Sequence, residues 1–213
     1  MKKMIWCASV VLCIIALYLL NRDPLPDRVT TGFGIPEYEH YKKVEQLEQD
    51  ADLIVSARFT GKRETVDLSV DWEGWGEGQP YYVSRSAVKI TNVFKGTVQK
   101  GNRIFVNEEG YLEDDTYHGS IGYKWMTKKG EYLLFLDKSQ QQGDVYYIVG
   151  NYQGKFDYTT PAEPPEKPRS NLAAYKEHRY EYFGEHMDEF YNLKQQAITK
   201  YPHESYHQRR PLP

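Results

Sequence analysis

A mainly β domain with added helices (α+β), carried behind a membrane anchor, is the fold class this 213-residue chain predicts. Three observations predict it: an apolar run at the start, short β-branched segments divided by glycine turns, and a helical stripe near the end. The opening run extends from Met4 to Leu20 with only Ser9 polar. That length meets the lower limit of about 17 residues for a helix crossing the hydrocarbon core. A removable leader wants small residues before its cut, yet Tyr18, Leu19 and Leu20 stand there. Cys13 follows Leu12 in mid-span, which does not suit a lipoprotein cut. Residues 1–22 are therefore expected to form an uncleaved transmembrane helix, inserted through residues 4–20. Lys2 and Lys3 hold the N-terminus in the cytoplasm, although Arg22 reduces the contrast. The expected location is the cell membrane, single-pass, with the bulk of the chain extracytoplasmic.

Composition narrows the function classes. The whole chain has 27 basic and 30 acidic side chains, and residues 23–213 hold 24 of the basic ones and all of the acidic ones, a net of −6. An acidic ectodomain argues against nucleic acid as a partner and against lying flat on anionic lipid. Both cysteines, Cys7 and Cys13, belong to the anchor, so thiol chemistry and Cys-ligated zinc are excluded outside the membrane.

Along the chain, residues 23–37 carry Pro24, Pro26, Gly32, Gly34 and Pro36 and read as a tether. Residues 38–158 read as the β domain with a leading helix. Tyr38, Tyr41, Val44, Leu47 and Ala51 recur at helical spacing. Strand-like runs follow at Leu53–Phe59, Ala87–Phe94, Arg103–Val106, Glu131–Leu136, Val145–Val149 and Tyr152–Tyr158, the fourth and fifth as a hairpin. Five or six short strands with glycine-containing turns predict a small antiparallel barrel or sandwich. Residues 159–170 form a proline-rich linker, with Ser170 or Asn171 as helix cap. Within 171–201, Leu172, Tyr175, Phe183, Met187, Phe190, Leu193, Ala197 and Tyr201 share one face. They predict one long C-terminal helix of about 30 residues and about 45 Å, ended by Pro202 and kinked at Gly184. That stripe must bury itself on the barrel or on a second copy. Residues 202–213 read as a flexible tail.

The stretch Ala51-Asp52-Leu53-Ile54-Val55, Val88 to Gly96, Lys100-Gly101-Asn102, Gly130 to Leu136 and Gly154-Lys155-Phe156 resembles exported or lipid-anchored proteins of Bacillus-like bacteria. It is similar in turn to the OB-like barrel of netrin-like and tissue-inhibitor-of-metalloproteinase domains. The resemblance covers about residues 50–157 and implies an OB-like barrel. Its motifs specify strands and turns and carry no chemistry. The metalloproteinase inhibitors reach zinc with an N-terminal cysteine held by disulfides, and this chain has neither.

The best functional candidate is the segment from Asp71 to Tyr82, with Trp72, Glu73, Trp75, Glu77, Tyr81 and Tyr82 as candidate ligand-binding residues. Aromatic rings with carboxylates on a glycine-rich loop suit a cell-envelope glycan or a protein partner, while the plainer reading has Trp72 or Trp75 folded back over the barrel end as a lid. The acidic run Asn107–Asp115 lacks calcium-loop spacing and reads as a solvated hairpin. His186 falls on the apolar stripe as a core histidine, while His203 and His207 fall in the tail. No nucleophile elbow, zinc-protease motif or P-loop appears. The sequence therefore reads as a non-catalytic binding or assembly module with no metal and no cofactor. The rival reading is an envelope-glycan binder or weak hydrolase.

Overall fold

The computed structural model describes residues 28–31, 40–69, 81–120 and 122–203. The expected anchor, most of the tether, the tip of the aromatic loop and the tail beyond His203 lie outside these residues. Among the described residues, no helix is long and apolar enough to cross a membrane.

Among the described residues, nine strands and three helices follow in chain order: β1 (Arg28–Thr31), α1 (Val44–Asp50), β2 (Leu53–Asp67), β3 (Tyr82–Lys95), β4 (Arg103–Glu108), β5 (Tyr111–Glu113), β6 (Thr116–Gly119), β7 (Tyr132–Lys138), β8 (Val145–Ile148), β9 (Lys155–Asp157), α2 (Asn171–Lys176) and α3 (Met187–Lys200). The main sheet runs β2-β3-β4-β8-β7, and β7 pairs back onto β2 to close a five-stranded barrel. β9 pairs with the N-terminal half of β7, on the edge that β8 occupies further along. Four seams are antiparallel and the β4–β8 seam is parallel, which corrects the expectation of a wholly antiparallel barrel. The reason is topological: an odd number of strands cannot alternate direction all the way round a closed ring.

Strand alternation fills the barrel. Leu53, Val55, Ala57 and Phe59 of β2, Val88 and Ile90 of β3, Ile104 and Val106 of β4, and Leu134 and Leu136 of β7 form the interior core. The other face of β7 is apolar too. Leu133 and Phe135 join Phe156 and receive Val44 and Leu47 from α1 and Phe190, Leu193 and Ala197 from α3. Burial on both faces explains why Tyr132–Leu136 is a continuous apolar run.

A second, three-stranded sheet of β1, β6 and β5 packs at one end of the barrel. β1 lies within the segment read as tether. Its β-branched Val29-Thr30-Thr31 pairs in parallel with Tyr117–Gly119, and Val29 packs on the interior core.

The expected continuous helix over 171–201 is two helices. Ser170 caps α2, its hydroxyl accepting from the Ala173 N–H at 3.2 Å. The chain then leaves helical geometry, because barrel contacts outweigh periodicity between Glu177 and His186. Tyr182 bridges Tyr123 in antiparallel fashion, Tyr180 and Phe183 enter the interior core, and Tyr182 joins the outer one. Neighbouring side chains pointing in opposite directions require extended backbone. Gly122, at φ +90, lets this strand approach, since a Cβ there would lie 2.0 Å from the Gly184 nitrogen. His186 starts α3 with φ 60 and a side chain about half exposed, paired with Glu189 at 3.4 Å. It is a boundary residue and not a core histidine. His203, expected in the tail, docks on the barrel with Nε2 2.6 Å from Glu131 Oε1.

A buried ion pair ties the C-terminal segment to the barrel. Lys194 Nζ lies 2.6 Å from Glu181 Oε2 with side chains 0% and 3% exposed, and it also donates to Thr160 Oγ1 at 2.6 Å. Glu181 Oε1 accepts from the Asp157 N–H of β9 at 2.5 Å. Removing one partner of such a pair strands a charge without solvent. Lys194→Met should lower unfolding free energy by about 3–5 kcal/mol, and Lys194→Met with Glu181→Leu should recover much of that, as read by urea denaturation. A loss below about 1 kcal/mol in the single variant would show that the pair does not tie the layers.

Candidate functional site

The loop between β2 and β3 leaves the barrel after Asp67 and returns at Tyr81. Ser69 organises its base: its N–H donates to Asp67 Oδ1 at 2.9 Å, and its Oγ accepts from the Tyr81 N–H at 2.7 Å. The Leu68 N–H donates to the Tyr81 carbonyl at 2.8 Å. These bonds close the neck and fix where the returning tyrosines sit. Of the six candidate residues, Trp72, Glu73, Trp75 and Glu77 lie outside the described residues, and Tyr81 and Tyr82 are placed.

Successive side chains on extended backbone diverge, and these two do. Tyr82 packs on Tyr111 of β5, ring centroids 5.0 Å apart, and Tyr111 stacks on His118 of β6 at 5.0 Å and 12°. His118 Nε2 lies 3.6 Å from Glu113 Oε2. Register explains the stack, because Tyr111 is the direct cross-strand partner of His118. All three rings are partly exposed. The result is a half-open aromatic platform at the foot of the Trp-bearing loop, with an imidazole and a carboxylate along one edge.

Tyr81 turns toward Glu109. Its hydroxyl is pushed up to about 12, by burial first and then by the Glu109 and Tyr147 charges. Glu109 sits between β4 and β5. Ser120 Oγ and Asn151 Nδ2 donate to its two carboxyl oxygens, and its carbonyl accepts from Trp125 Nε1 at 3.1 Å. Gly110 makes this placement possible: at φ +79, a Cβ there would meet the Tyr117 ring and the His118 carbonyl at 2.6 Å. Burial pushes the Glu109 carboxyl up to about 7.

Glu108, one residue earlier, points the opposite way, into the barrel, and is fully buried. Arg63 Nη2 lies 3.0 Å from its Oε2, while Tyr123 OH and the Met126 N–H donate to its Oε1, each at 2.9 Å. Burial alone would raise its carboxyl, but Arg63, Lys155 and these donors outweigh burial and hold it below the ordinary range. The Arg63 guanidinium is sandwiched by Phe59 at 4.5 Å and Trp125 at 4.6 Å. This pair is structural, filling and fastening the barrel end beneath the platform.

The acidic run is thus not the solvated hairpin its composition suggests. Of its middle carboxylates, Glu108 is buried and points inward and Glu109 is half-buried beneath the rim, and only Glu113, Asp114 and Asp115 are exposed. Tyr111, His118 and Glu109 are members of the site that sequence reasoning missed. The available signal was Gly110 followed by alternating Tyr111 and Glu113, which marks a tight turn into a second small strand.

With this geometry in place, the chain is defined as a small closed β-barrel with an outer helical layer and an aromatic rim at one end. No protein-family model matches the chain, and no curated protein matches it. The site must be read from its own chemistry.

A raised Glu109 carboxyl gives a pH signature. With a folded value near 7 against an ordinary value near 4.5, the folded state holds the proton more tightly. Its stabilising contribution is complete below about pH 4.5 and is lost as pH rises through about 7. A tryptophan emission titration should show a step centred near pH 7 from Trp125, absent in Glu109→Gln. An unchanged step in that variant would assign it to another group.

Proposed function

We propose that this chain is a non-catalytic binding or assembly module, anchored in the membrane through residues 4–20 and working outside the cytoplasm. Its ligand surface is the aromatic rim formed by Tyr82, Tyr111 and His118, with Tyr81 beside it and Trp72 and Trp75, outside the described residues, as further candidates. The observation that carries this reading is the half-exposed Tyr82–Tyr111–His118 stack. Partly exposed aromatic rings held rigid by strand register lose little entropy on binding and form the usual centre of a protein contact. Loop position supports it, because the loop joining the first two strands of a five-stranded barrel of this kind is a common ligand-binding loop. The closed barrel also supports the resemblance to OB-like, netrin-like domains.

A glycan ligand is the second reading, favoured by the polar edge beside the stack. His118 and Glu113 have the donors and acceptors that ring hydroxyls require, next to a flat aromatic face. Among the described residues, no groups of three or more His, Cys, Asp or Glu are placed to hold a metal ion, so neither reading draws on one.

Photo-cross-linking on intact cells, with a photoactivatable residue at position 75, tests the proposal. A specific protein adduct is expected, and Tyr82→Ala or Tyr111→Ala should cut its yield by about tenfold or more, as for a hot spot of about 2 kcal/mol. Adducts to wall glycan with the same sensitivity select the second reading. Adducts indifferent to both tyrosines would remove the rim as the binding surface.

A further inference from the structure

A second feature lies on the outer wall of the barrel, well away from the rim. From Tyr82 to Lys89, β3 advances about 23 Å at 3.3 Å per residue. At Lys89 the register sets three cations side by side across three strands. Arg58 of β2 pairs directly with Lys89 of β3, and Lys89 pairs directly with Arg103 of β4. Val88 and Ile104, the adjacent pair, face the interior core. The row Arg58–Lys89–Arg103 therefore faces outward, at about 4.8 Å between neighbours and about 10 Å end to end.

Like charges directly opposite on a sheet destabilise it, so this row needs a compensating anion. One exists at its end. Glu131, just before β7, sits beside Arg58, which donates Nε and Nη2 to Oε2 at 2.9 and 2.5 Å. Thr91 Oγ1 donates to Oε1 at 3.0 Å, and His203 Nε2 lies 2.6 Å from the same atom. Burial would raise this carboxyl, yet the bonds from Arg58, His203 and Thr91 hold it below the ordinary range. Its two oxygens are thus already engaged, and it neutralises only the Arg58 end. Among the described residues, neither the Lys89 ammonium nor the Arg103 guanidinium has a carboxylate in ion-pair range.

Arg58 and Lys89 of the row line a cleft of about 430 Å³ together with Ser56, Thr91, Asn92, Lys100 and Glu131 among others, walled on one side by Pro202 and His203, and Arg103 continues the row past its edge. The cleft volume falls in the range of small-molecule sites. Hydroxyl and amide groups line it beside the cations, so it offers neutral donors as well as charge. Two cations remain uncompensated in a chain whose formal net charge is −3.

We propose that this cleft, with Arg103 at its edge, binds a ligand carrying at least two anionic groups, phosphate or carboxylate, about 5 Å apart. One group sits between Arg58 and Lys89 and the next between Lys89 and Arg103. Spacing decides the valence, because a single small anion between Lys89 and Arg103 does not reach Arg58, and a second group about 5 Å away engages it as well. This site is independent of the rim, so either stands if the other fails.

The test is thermal unfolding of the full-length chain in neutral detergent at low ionic strength, with sodium tripolyphosphate, trisodium citrate or sodium chloride added at matched ionic strength. Tripolyphosphate should raise the midpoint by about 2–6 °C beyond sodium chloride. Lys89→Gln and Arg103→Gln should each reduce that excess to near zero. Both variants should melt no lower than the parent without ligand, since each relieves a like-charge contact. Tyr82→Ala and Tyr111→Ala should keep the excess, which separates this site from the rim. Citrate matching tripolyphosphate supports a site that reads charge spacing on either chemistry, and tripolyphosphate alone acting supports a phosphate source. Equal shifts from sodium chloride, or a shift retained in Lys89→Gln, overturn the proposal. So does a single-stranded oligonucleotide that outperforms tripolyphosphate, which would assign the row to nucleic acid.

Discussion

Everything in this fold depends on β2 pairing on both edges at once. Leu53–Ala57 pairs with Tyr132–Leu136 of β7 while the same strand, continuing to Asp67, pairs with β3. That double pairing closes the ring and leaves no open edge among the five barrel strands. It also divides the side chains of β2 among three destinations. Leu53, Val55, Ala57 and Phe59 fill the interior, Ile54 faces the helical layer, and Ser56 and Arg58 face the cleft. Register shifts at Ile54/Val55, Ser56/Ala57 and Phe59/Arg63 let so long a strand coil around a small barrel.

The outer layer follows from the other side of β7. Because Leu133 and Phe135 face outward, the barrel alone would expose a large apolar surface, and α1 and α3 cover it. The stripe Phe190, Leu193 and Ala197 is spent on this contact within the chain, each residue 2% exposed or less. Those side chains are therefore not on offer to a second copy. Polar bonds fasten the same layer. Lys200 reaches Glu48 at 2.7 Å and Glu45 at 3.2 Å, and the Tyr158 hydroxyl donates to the Tyr201 carbonyl at 2.6 Å.

The barrel was legible in the sequence because its strands carry β-branched and apolar runs between glycine turns. The continuous run at Tyr132–Leu136 also signalled a strand buried on both faces. Three things were not legible, each for a physical reason. Helical periodicity over 171–201 was genuine at both ends, but the aromatic residues between them pack into two separate cores, which a helix cannot serve. β1 was obscured by the prolines and glycines around Val29-Thr30-Thr31. The acidic run read as solvated because composition does not show that Glu108 meets Arg63, 45 residues away. The candidate site was half legible: Tyr81 and Tyr82 stood out, but their partners Glu109, Tyr111 and His118 are joined to them only by pairing. The cation row was invisible for the same reason, since Arg58, Lys89 and Arg103 become neighbours through register alone.

Barrel and C-terminal segment form one cooperative unit, with the rim and the cleft as surfaces of a rigid body. Native-state amide hydrogen exchange on the full-length chain tests it most directly. The account predicts that Leu193 to Lys200 of α3 and Leu133 to Leu136 of β7 exchange with closely similar protection, both near the global unfolding limit. Protection of α3 that is lower by a factor of about a hundred or more, with β7 unchanged, would contradict it. The outer layer would then be a separately opening element, and the cleft beside Pro202 and His203 would have no fixed wall.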